Sequence, residues 1–230
     1  MTNDYPFKFL GTGDAFDYER GNSAMIIDIP ERVLVDIGPL VFPKLIATNL
    51  IGTIDYVILT HLHGDHTGGL FQFIHYLKSK LGKVARIICQ SSKFQKEIVS
   101  LLDSLGVPHT HYFIVPVSSF PAIEWIDTTG KHAKGFTSYG FVFNTTSLDV
   151  YYSGDLGDIK VSEKVAKKLD PSRTVILHDM HHAGSTSHVN YRDLNNLNNK
   201  FQIYGYHCDV SQLPDDNNIP LACNTQDILI

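Results

Sequence analysis

The stretch VILTHLHGDHTGGL, residues 57–70, places three histidines and one aspartate within six consecutive positions. Side chains two residues apart in an extended segment point to the same side, so His61 and His63 can bind one metal ion together. Asp65 and His66 project differently and suit a second ion. Imidazole nitrogen suits zinc and similar metals, and carboxylate oxygen completes such coordination shells. The stretch therefore predicts a metal site whose remaining ligands come from elsewhere in the chain.

Three candidate ligands lie beside predicted strands further along the chain. His132 precedes a strand in GKHAKGFTSYGFVF, Asp155 ends VYYSGD, and His207 ends QIYGYH. Open α/β sheets usually carry their chemistry at strand ends. Taken singly, each histidine is explained as a buried or surface residue, and Asp155 as a turn residue after glycine. Together they complete the metal site.

Short runs of β-branched and aromatic residues, bounded by Gly, Pro, Asn or Asp, predict strands along the whole chain. Helical periodicity predicts helices between them, in segments 70–77, 92–105, 161–171 and 190–200. The C-terminal LPDDNNIP and LACNTQDILI predict a loop and a closing strand. No Gly/Ser-rich or Pro-rich linker divides the chain, so one domain over residues 1–230 is expected. Two sheets packed face to face with helices outside would accommodate these elements.

The composition indicates a globular protein with a sizeable core, because 43% of residues are hydrophobic and 19% are charged. The net charge of −5 does not indicate the basic surface that nucleic-acid binding needs. No apolar run approaches the ~20 residues of a membrane span, and no signal peptide is recognisable. Three widely spaced cysteines indicate no disulfide framework. We therefore expect a cytoplasmic protein without membrane contact or stable nucleic-acid binding.

The order of these motifs resembles the metallo-β-lactamase superfamily of dinuclear hydrolases. The pattern H-x-H-x-D-H is followed by a downstream histidine, an SGD aspartate and a strand-end histidine, while FLGTGDAF, RGNSAMIID and VLVDIG resemble the opening strands of the phosphodiesterase branch. The resemblance implies an α/β fold, a four-layer αββα sandwich. It also implies two divalent ions, with zinc expected and manganese as the alternative. The implied ligands are His61, His63 and His132 for one ion and Asp65, His66 and His207 for the other, with Asp155 bridging.

The segment VILHDMHHAGSTSHVNYRDL resembles two motif boxes of the ribonuclease Z branch. The resemblance implies that His188 protonates the leaving oxygen and that Asp179 holds this histidine in place. A phosphodiester needs such a general acid because its alkoxide leaving group is poor. Asp179 stands where the branch has glutamate, and a purely structural histidine–aspartate hydrogen bond is the alternative. Asp65 is expected to orient the attacking hydroxide.

Only 23 positions separate His132 from Asp155, and two predicted strands fill them. The long arm with which ribonuclease Z grips transfer RNA cannot fit there. The chain then resembles the small-substrate members of the branch, namely cyclic phosphate phosphodiesterases and the phage-type anti-Pycsar enzymes that degrade cyclic nucleotides. Hydrolysis of a cyclic nucleotide or similar small cyclic phosphodiester is therefore expected, and a homodimer would match other small members. Open alternatives are a ribonuclease Z-like endoribonuclease, a lactonase or thioesterase, and a non-enzymatic binding protein.

Several aromatic and histidine side chains have no assigned role. Aromatic residues at strand positions more often belong to the core than to a base-stacking site, and this applies to Phe16, Tyr112, Tyr139 and Phe141. A second H-x-H, at His109 and His111, is explained by exposed histidines at a strand edge, with a third metal site or a substrate contact as the alternative. His181 and His182 lie close enough in sequence to His188 to reach the rim of the site.

Overall fold

The computed structural model of the chain describes residues 5–183 and 185–222. A first sheet holds six strands in the order in which they occur in the sequence. Its strands are β1 (Phe7–Gly11), β2 (Ala24–Asp28), β3 (Arg32–Val35), β4 (Tyr56–Ile58), β5 (Ala85–Cys89) and β6 (Tyr112–Pro116). The first three strands pair antiparallel, and β3 to β6 pair parallel.

A second sheet holds five strands that all come later in the sequence. They are β7 (Ile123–Asp127), β8 (Tyr139–Asn144), β9 (Asp149–Tyr152), β10 (Thr174–Asp179) and β11 (Gln202–Tyr206). Their spatial order is β11-β10-β9-β8-β7. The strands β7 to β9 pair antiparallel, and β9 to β11 pair parallel. Each observed strand coincides with or overlaps one of the runs that predict strands, which are FKFLG, AMIIDI, VLVDIG, YVILT, ARIICQ, YFIVPV, AIEWID, YGFVFN, LDVYYSG, TVILHD and QIYGYH.

Along each strand from β8 to β11, apolar side chains at neighbouring positions belong to two different core clusters, so apolar side chains cover both faces of the second sheet. On β9, Val150 and Tyr152 join the large core shared with the first sheet, whereas Tyr151 joins a second cluster. The strands β8, β10 and β11 divide their side chains in the same way. Because successive strand residues point to opposite faces, the second sheet has the other sheet on one side and helices on the other. The layer order is helix, sheet, sheet, helix.

Helices cover the outer faces of both sheets. They are α1 (Val41–Ala47), α2 (Gly64–Thr67), α3 (Leu70–Leu81), α4 (Ser92–Ser104), α5 (Ile159–Ala166) and α6 (Asn195–Asn198). The helix predicted over 190–200 is instead a 3₁₀ turn, Tyr191–Leu194, followed by the single turn of α6. The sequence interpretation missed α1, which contains Pro43. Proline is tolerated there because its missing N–H falls in the first turn, where that group has no helical acceptor.

The predicted C-terminal loop is confirmed, because residues 213–220 form neither helix nor strand, whereas the predicted closing strand, 221–230, falls mostly outside the described residues. Leu221 forms an isolated bridge with Gly205, but residues 223–230, with Cys223, are not among those described. Cys89 and Cys208 are both buried. Within residues 5–183 and 185–222, no helix is both long enough and apolar enough to cross a membrane.

Candidate metal centre

Four donor atoms from separate parts of the chain meet beyond the end of β4. His61 Nε2 lies 2.9 Å from His63 Nδ1, which lies 3.0 Å from His132 Nε2. Asp155 Oδ2 lies 3.8 Å from the His61 nitrogen and 3.6 Å from the His132 nitrogen. Four ligands about 2.0–2.2 Å from a tetrahedral zinc ion are separated from one another by about 3.3–3.6 Å. The four donors are therefore spaced as ligands of one ion.

A second group of donors adjoins the first and shares one atom with it. His66 Nε2 lies 3.2 Å from Asp65 Oδ2 and 3.4 Å from Asp155 Oδ2. His207 Nε2 lies 3.3 Å from the same Asp155 oxygen and 3.8 Å from Asp65 Oδ2. Asp155 Oδ2 is thus a corner of both groups, which is the position of a bridging ligand. The structure brings together all seven side chains that the sequence proposed as ligands.

Two buried atoms in this cluster support metal binding independently of the distances. His66 Nε2 and Asp155 Oδ1 are buried and have no hydrogen-bond partner among the described residues. A buried polar group without a partner destabilises a fold by about 1–3 kcal/mol, and ligation of a cation removes that cost. Histidine nitrogen with carboxylate oxygen is also the donor set that zinc and neighbouring divalent metals prefer. The residues fit a divalent-metal site.

Burial and neighbouring charges hold two of the ligands, His61 and Asp155, in the protonation states that metal binding needs. Burial, followed by the nearby His66, lowers the pKa of His61 well below its ordinary value, which favours the neutral imidazole. Burial alone would raise the pKa of Asp155, but His207 and His66 outweigh it and lower that pKa well below its usual range. The central carboxylate is therefore ionised, as a bridging ligand must be. For His66, burial would lower the pKa, but the Asp155 and Asp36 carboxylates outweigh it and raise that pKa well above its ordinary value.

A buried aspartate that the sequence interpretation did not single out, Asp36, orients ligands of both groups. Its Oδ2 accepts hydrogen bonds from Thr60 Oγ1 at 2.8 Å and His66 Nδ1 at 2.9 Å. Thr60 Oγ1 in turn lies 2.9 Å from His61 Nδ1. With each Nδ1 proton directed toward this network, the Nε2 lone pairs of both histidines face the metal centre. The one signal in the sequence was the position of Asp36, in VLVDIG at the end of β3.

His132 is oriented by a backbone group rather than a carboxylate. Its Nδ1 donates a hydrogen bond to the Ser187 carbonyl at 2.9 Å, which leaves Nε2 free to bind metal. Sequence motifs gave no sign of this contact, because any residue at position 187 supplies the same carbonyl. The contact also ties His132 to the segment that carries His188.

His188 and Asp179 meet at the rim of the metal centre. His188 Nδ1 lies 2.9 Å from Asp179 Oδ2, and its ring centroid lies 5.0 Å from that of His132 and 5.3 Å from that of His207. The Asp179 side chain is fully buried, whereas that of His188 is 20% exposed. Burial would lower the pKa of His188, but the Asp179 carboxylate outweighs it and raises that pKa. A partly exposed, proton-bearing imidazole is thereby held beside the donor cluster.

The remaining histidines and aromatics fall into two groups. The His181 ring contacts the His182 ring, with centroids 4.1 Å apart, and its centroid lies 6.3 Å from that of His188, so this pair borders the rim. His109 is exposed and pairs with Asp103, as expected for a surface histidine, and His111 packs near His75. Three of the four aromatic residues expected in the core are buried, namely Tyr112, Tyr139 and Phe141. The expectation of a core position is wrong for Phe16, which is 83% exposed because its segment is a surface loop rather than a strand.

Comparison with known proteins gives the chain a family and a fold. The sequence profile of the family described as Anti-Pycsar protein Apyc1 matches residues 5–220. A Saccharibacillus brassicae protein of that name is 27% identical over 166 residues, covering 65% of this chain and 66% of the relative. A Paenibacillus harenae protein of the same name is 26% identical over 199 residues, covering 75% of each.

In structure, the chain resembles the metallo-β-lactamase fold protein YhfI from Bacillus subtilis. The TM-score is 0.69 at 17% sequence identity, over 88% of this chain and 85% of the other. This similarity concerns the fold and agrees with the layered sandwich described above. The chain has the metallo-β-lactamase fold and belongs to the Anti-Pycsar protein Apyc1 family.

Proposed function

We propose that the chain hydrolyses a cyclic nucleotide, or a similar small cyclic phosphodiester, at this metal centre. One arrangement of side chains supports this proposal. Asp155 Oδ2 is shared by two groups of candidate metal donors, and the His188–Asp179 pair lies beside both groups. Two divalent ions held there, zinc or manganese, would supply charge neutralisation for a phosphate and an activated water. That combination serves a phosphodiester, whose cleavage also needs a proton donor for the leaving oxygen.

The residues around the donors have separable roles in the proposed reaction. Asp65, whose side chain is 14% exposed, orients the attacking water through its carboxylate. His188 donates a proton from Nε2 to the departing ribose oxygen. Asp179 accepts from His188 Nδ1, and its second contact, from the Leu156 backbone N–H at 3.1 Å, fixes the carboxylate. Asp179 therefore keeps the tautomer and orientation of His188 constant.

A small substrate is favoured by the short connection between His132 and Asp155. The strands β8 and β9 occupy this span, and the turn between them comprises only residues 145–148. The segment therefore offers no protruding arm for a folded RNA. The names of the sequence relatives agree with the cyclic-nucleotide degradation that the motif resemblance implies.

A substrate panel tests the proposal directly. We expect zinc-loaded or manganese-loaded protein to hydrolyse cyclic mononucleotides or cyclic dinucleotides faster than a lactone, a thioester or precursor transfer RNA. Liquid chromatography of the products would identify the bond that is cleaved. Hydrolysis of the lactone alone would contradict the proposal, and cleavage of transfer RNA with steep salt dependence would favour the endoribonuclease.

The role of His188 is tested by varying the leaving group. Replacing His188 with Ala should reduce kcat on a cyclic nucleotide by about 10²–10⁴-fold, the usual contribution of general acid catalysis. Hydrolysis of bis(p-nitrophenyl) phosphate should fall far less, because p-nitrophenolate leaves without protonation. His109→Ala, at an exposed histidine, is the matched control and should resemble wild type. Equal losses on both substrates would contradict proton donation.

Metal content separates this role from ligation. His63→Ala should lose bound metal and activity on every phosphodiester, because it removes a donor from the first group. His188→Ala should retain wild-type metal content by elemental analysis. Metal loss in His188→Ala would instead make His188 a ligand, a role that its Nε2 could serve beside Asp155 and His207.

A further inference from the structure

Two aromatic side chains project into solvent from one loop beside the metal centre. The loop comprises residues 12–22, between β1 and β2, and we name it the aromatic loop. Phe16 is 83% exposed and Tyr18 is 80% exposed, the highest values among the large hydrophobic residues described. Large apolar side chains exposed together often mark a binding site. The proposed reaction does not yet use either of them.

Internal hydrogen bonds give the aromatic loop a defined shape. Asp17 Oδ1 accepts from the backbone N–H of Glu19 at 3.1 Å and of Arg20 at 2.9 Å, and Asp17 Oδ2 binds Arg20 Nε at 2.6 Å. Gly13 N–H donates to the Gly21 carbonyl at 2.9 Å and closes the base of the loop. The two aromatics therefore stand on a preorganised backbone, which lowers the entropic cost of binding a ligand.

The base of the aromatic loop is attached to ligands of the second donor group. The Thr12 carbonyl accepts from the backbone N–H of His207 at 2.8 Å, and Arg20 Nη2 donates to the Cys208 carbonyl. On the other side, the backbone of Gly38 is wedged between Asn22 and Asp65. A Cβ added at Gly38 would lie 2.1 Å from the Asp65 carbonyl oxygen and 2.6 Å from Asn22 Cβ. The loop thus begins against His207, and only the backbone of Gly38 separates its end from Asp65.

The length of the loop limits how far Phe16 lies from the second donor group. Phe16 lies four positions after Thr12, so their Cα atoms lie no more than about 14 Å apart even in an extended chain. A phosphate at the metal centre would direct the attached nucleoside outward, toward the rim. A nucleobase offers a flat π-face to aromatic side chains whatever its hydrogen-bonding pattern.

We propose that Phe16 and Tyr18 form the stacking platform for the nucleobase of the substrate. This inference rests on the proposed function and adds the part of the protein that recognises the base. Stacking is tolerant of base identity, so the platform favours nucleotides over base-free phosphodiesters without strong preference among bases. Loss of a stacked base in single-strand binding proteins weakens binding by about 5- to 100-fold.

The test compares two substrates that differ only in the base. These are adenosine 3′,5′-cyclic phosphate and a methyl riboside 3′,5′-cyclic phosphate. The quantity measured is the ratio of their kcat/KM values. We expect Phe16→Ala, Tyr18→Ala or the double variant to lower this ratio by about 5- to 100-fold, mainly through KM. Phe16→Trp should retain the wild-type ratio, because indole also stacks.

Phe113→Ala is the matched control. Phe113 is 61% exposed and lies near the start of β6. His61 follows the end of β4, and β4 and β6 run in the same direction, so the two residues lie at opposite ends of the first sheet. Phe113→Ala should leave the ratio unchanged. A wild-type ratio in the double variant would overturn the stacking platform while leaving the proposed function intact.

Light scattering provides the second readout. The quantity is the molar mass of the protein in solution. If this mass changes in the double variant and kcat/KM falls equally for both substrates, the aromatic loop is a contact between two copies of the chain, and the inference is overturned. If the wild-type protein hydrolyses none of the cyclic phosphodiesters in the substrate panel, the proposed function fails first and the inference fails with it.

Discussion

Single hydrogen bonds decide which nitrogen of His61, His66 and His132 faces the metal centre. Imidazole has two nitrogens, and the partner of one determines which lone pair the other presents. Asp36 serves His66 directly and His61 through Thr60. The residue has a left-handed backbone, with φ 61°, a conformation that Asp and Asn tolerate better than other non-glycine residues. An aspartate therefore suits position 36 in two ways: it tolerates the left-handed backbone, and its carboxylate accepts the hydrogen bonds that orient the histidines.

Replacing Asp36 with Asn tests this network with little change of shape. The amide can accept with only one oxygen, so its NH₂ would face one of the three donors that now bind the carboxylate. We expect metal affinity to fall by about 10–100-fold, the usual effect of losing such an outer partner. Isothermal titration with zinc measures the change.

The control for Asp36→Asn is Asp28→Asn, at an exposed carboxylate paired with Arg32. It should bind zinc as wild type does. Wild-type affinity in Asp36→Asn would show that the histidines are oriented by their packing alone.

At the scale of elements, three loops converge on Gly157, between β9 and α5. The Gly157 N–H donates to the Lys131 carbonyl at 2.7 Å. A Cβ at this position would lie 2.1 Å from the Thr186 carbonyl oxygen and 2.8 Å from that of Lys131. One loop carries His132, another His188, and Gly157 itself lies two residues after Asp155. The close approach of three backbones therefore sets the spacing between His132, Asp155 and His188.

Gly157→Ala should force these loops apart. Overpacking of this kind destabilises a protein by about 1–3 kcal/mol. Since each kcal/mol lowers the Tm of a chain of this size by about 2–4 °C, a loss of about 2–12 °C is expected. Calorimetry measures the shift, and a kinetic assay should show reduced activity with zinc in excess.

Gly52→Ala provides the comparison, because its added Cβ meets only the side chain of Leu81, at 3.6 Å. This variant should keep wild-type activity. Full activity in Gly157→Ala would mean that the loops adjust without moving the site.

At the scale of the whole molecule, the metal centre joins the two sheets. The first sheet supplies the ligands of the H-x-H-x-D-H stretch and the supporting Asp36. The second sheet and its loops supply the rest, namely His132, Asp155, His207 and the pair at the rim. An ion bound at the centre would therefore connect both halves of the sandwich, and metal binding should be linked to global stability.

Metal removal should lower the Tm. An ion at ~100 times its Kd stabilises the folded state by about 2.7 kcal/mol, which corresponds to about 5–11 °C for a chain of this length. Differential scanning calorimetry with chelator and with zinc measures the difference. Asp155→Ala removes the atom shared by both donor groups, so its Tm should respond much less to zinc. An equal response in Asp155→Ala would place metal binding elsewhere on the molecule.

The sequence by itself determined the strands, the layered fold and the candidate metal donors that the structure brings together. Periodicity and side-chain chemistry are local properties, so the alternation in FKFLG or the donors of HLHGDH can be recognised without a structure. The motif order then identified the later ligands, because each one lies beside a strand whose place in the fold the family resemblance implies.

Only the tertiary structure decided how these residues work together. The role of Asp36 depends on a contact with His66, 30 positions away, and that of Ser187 on a backbone carbonyl that any residue type supplies. The exposure of Phe16 depends on a loop closed by Gly13 and Gly21 and attached to the His207–Cys208 segment. Such features arise from distances between segments far apart in the chain, and a one-dimensional pattern does not encode them.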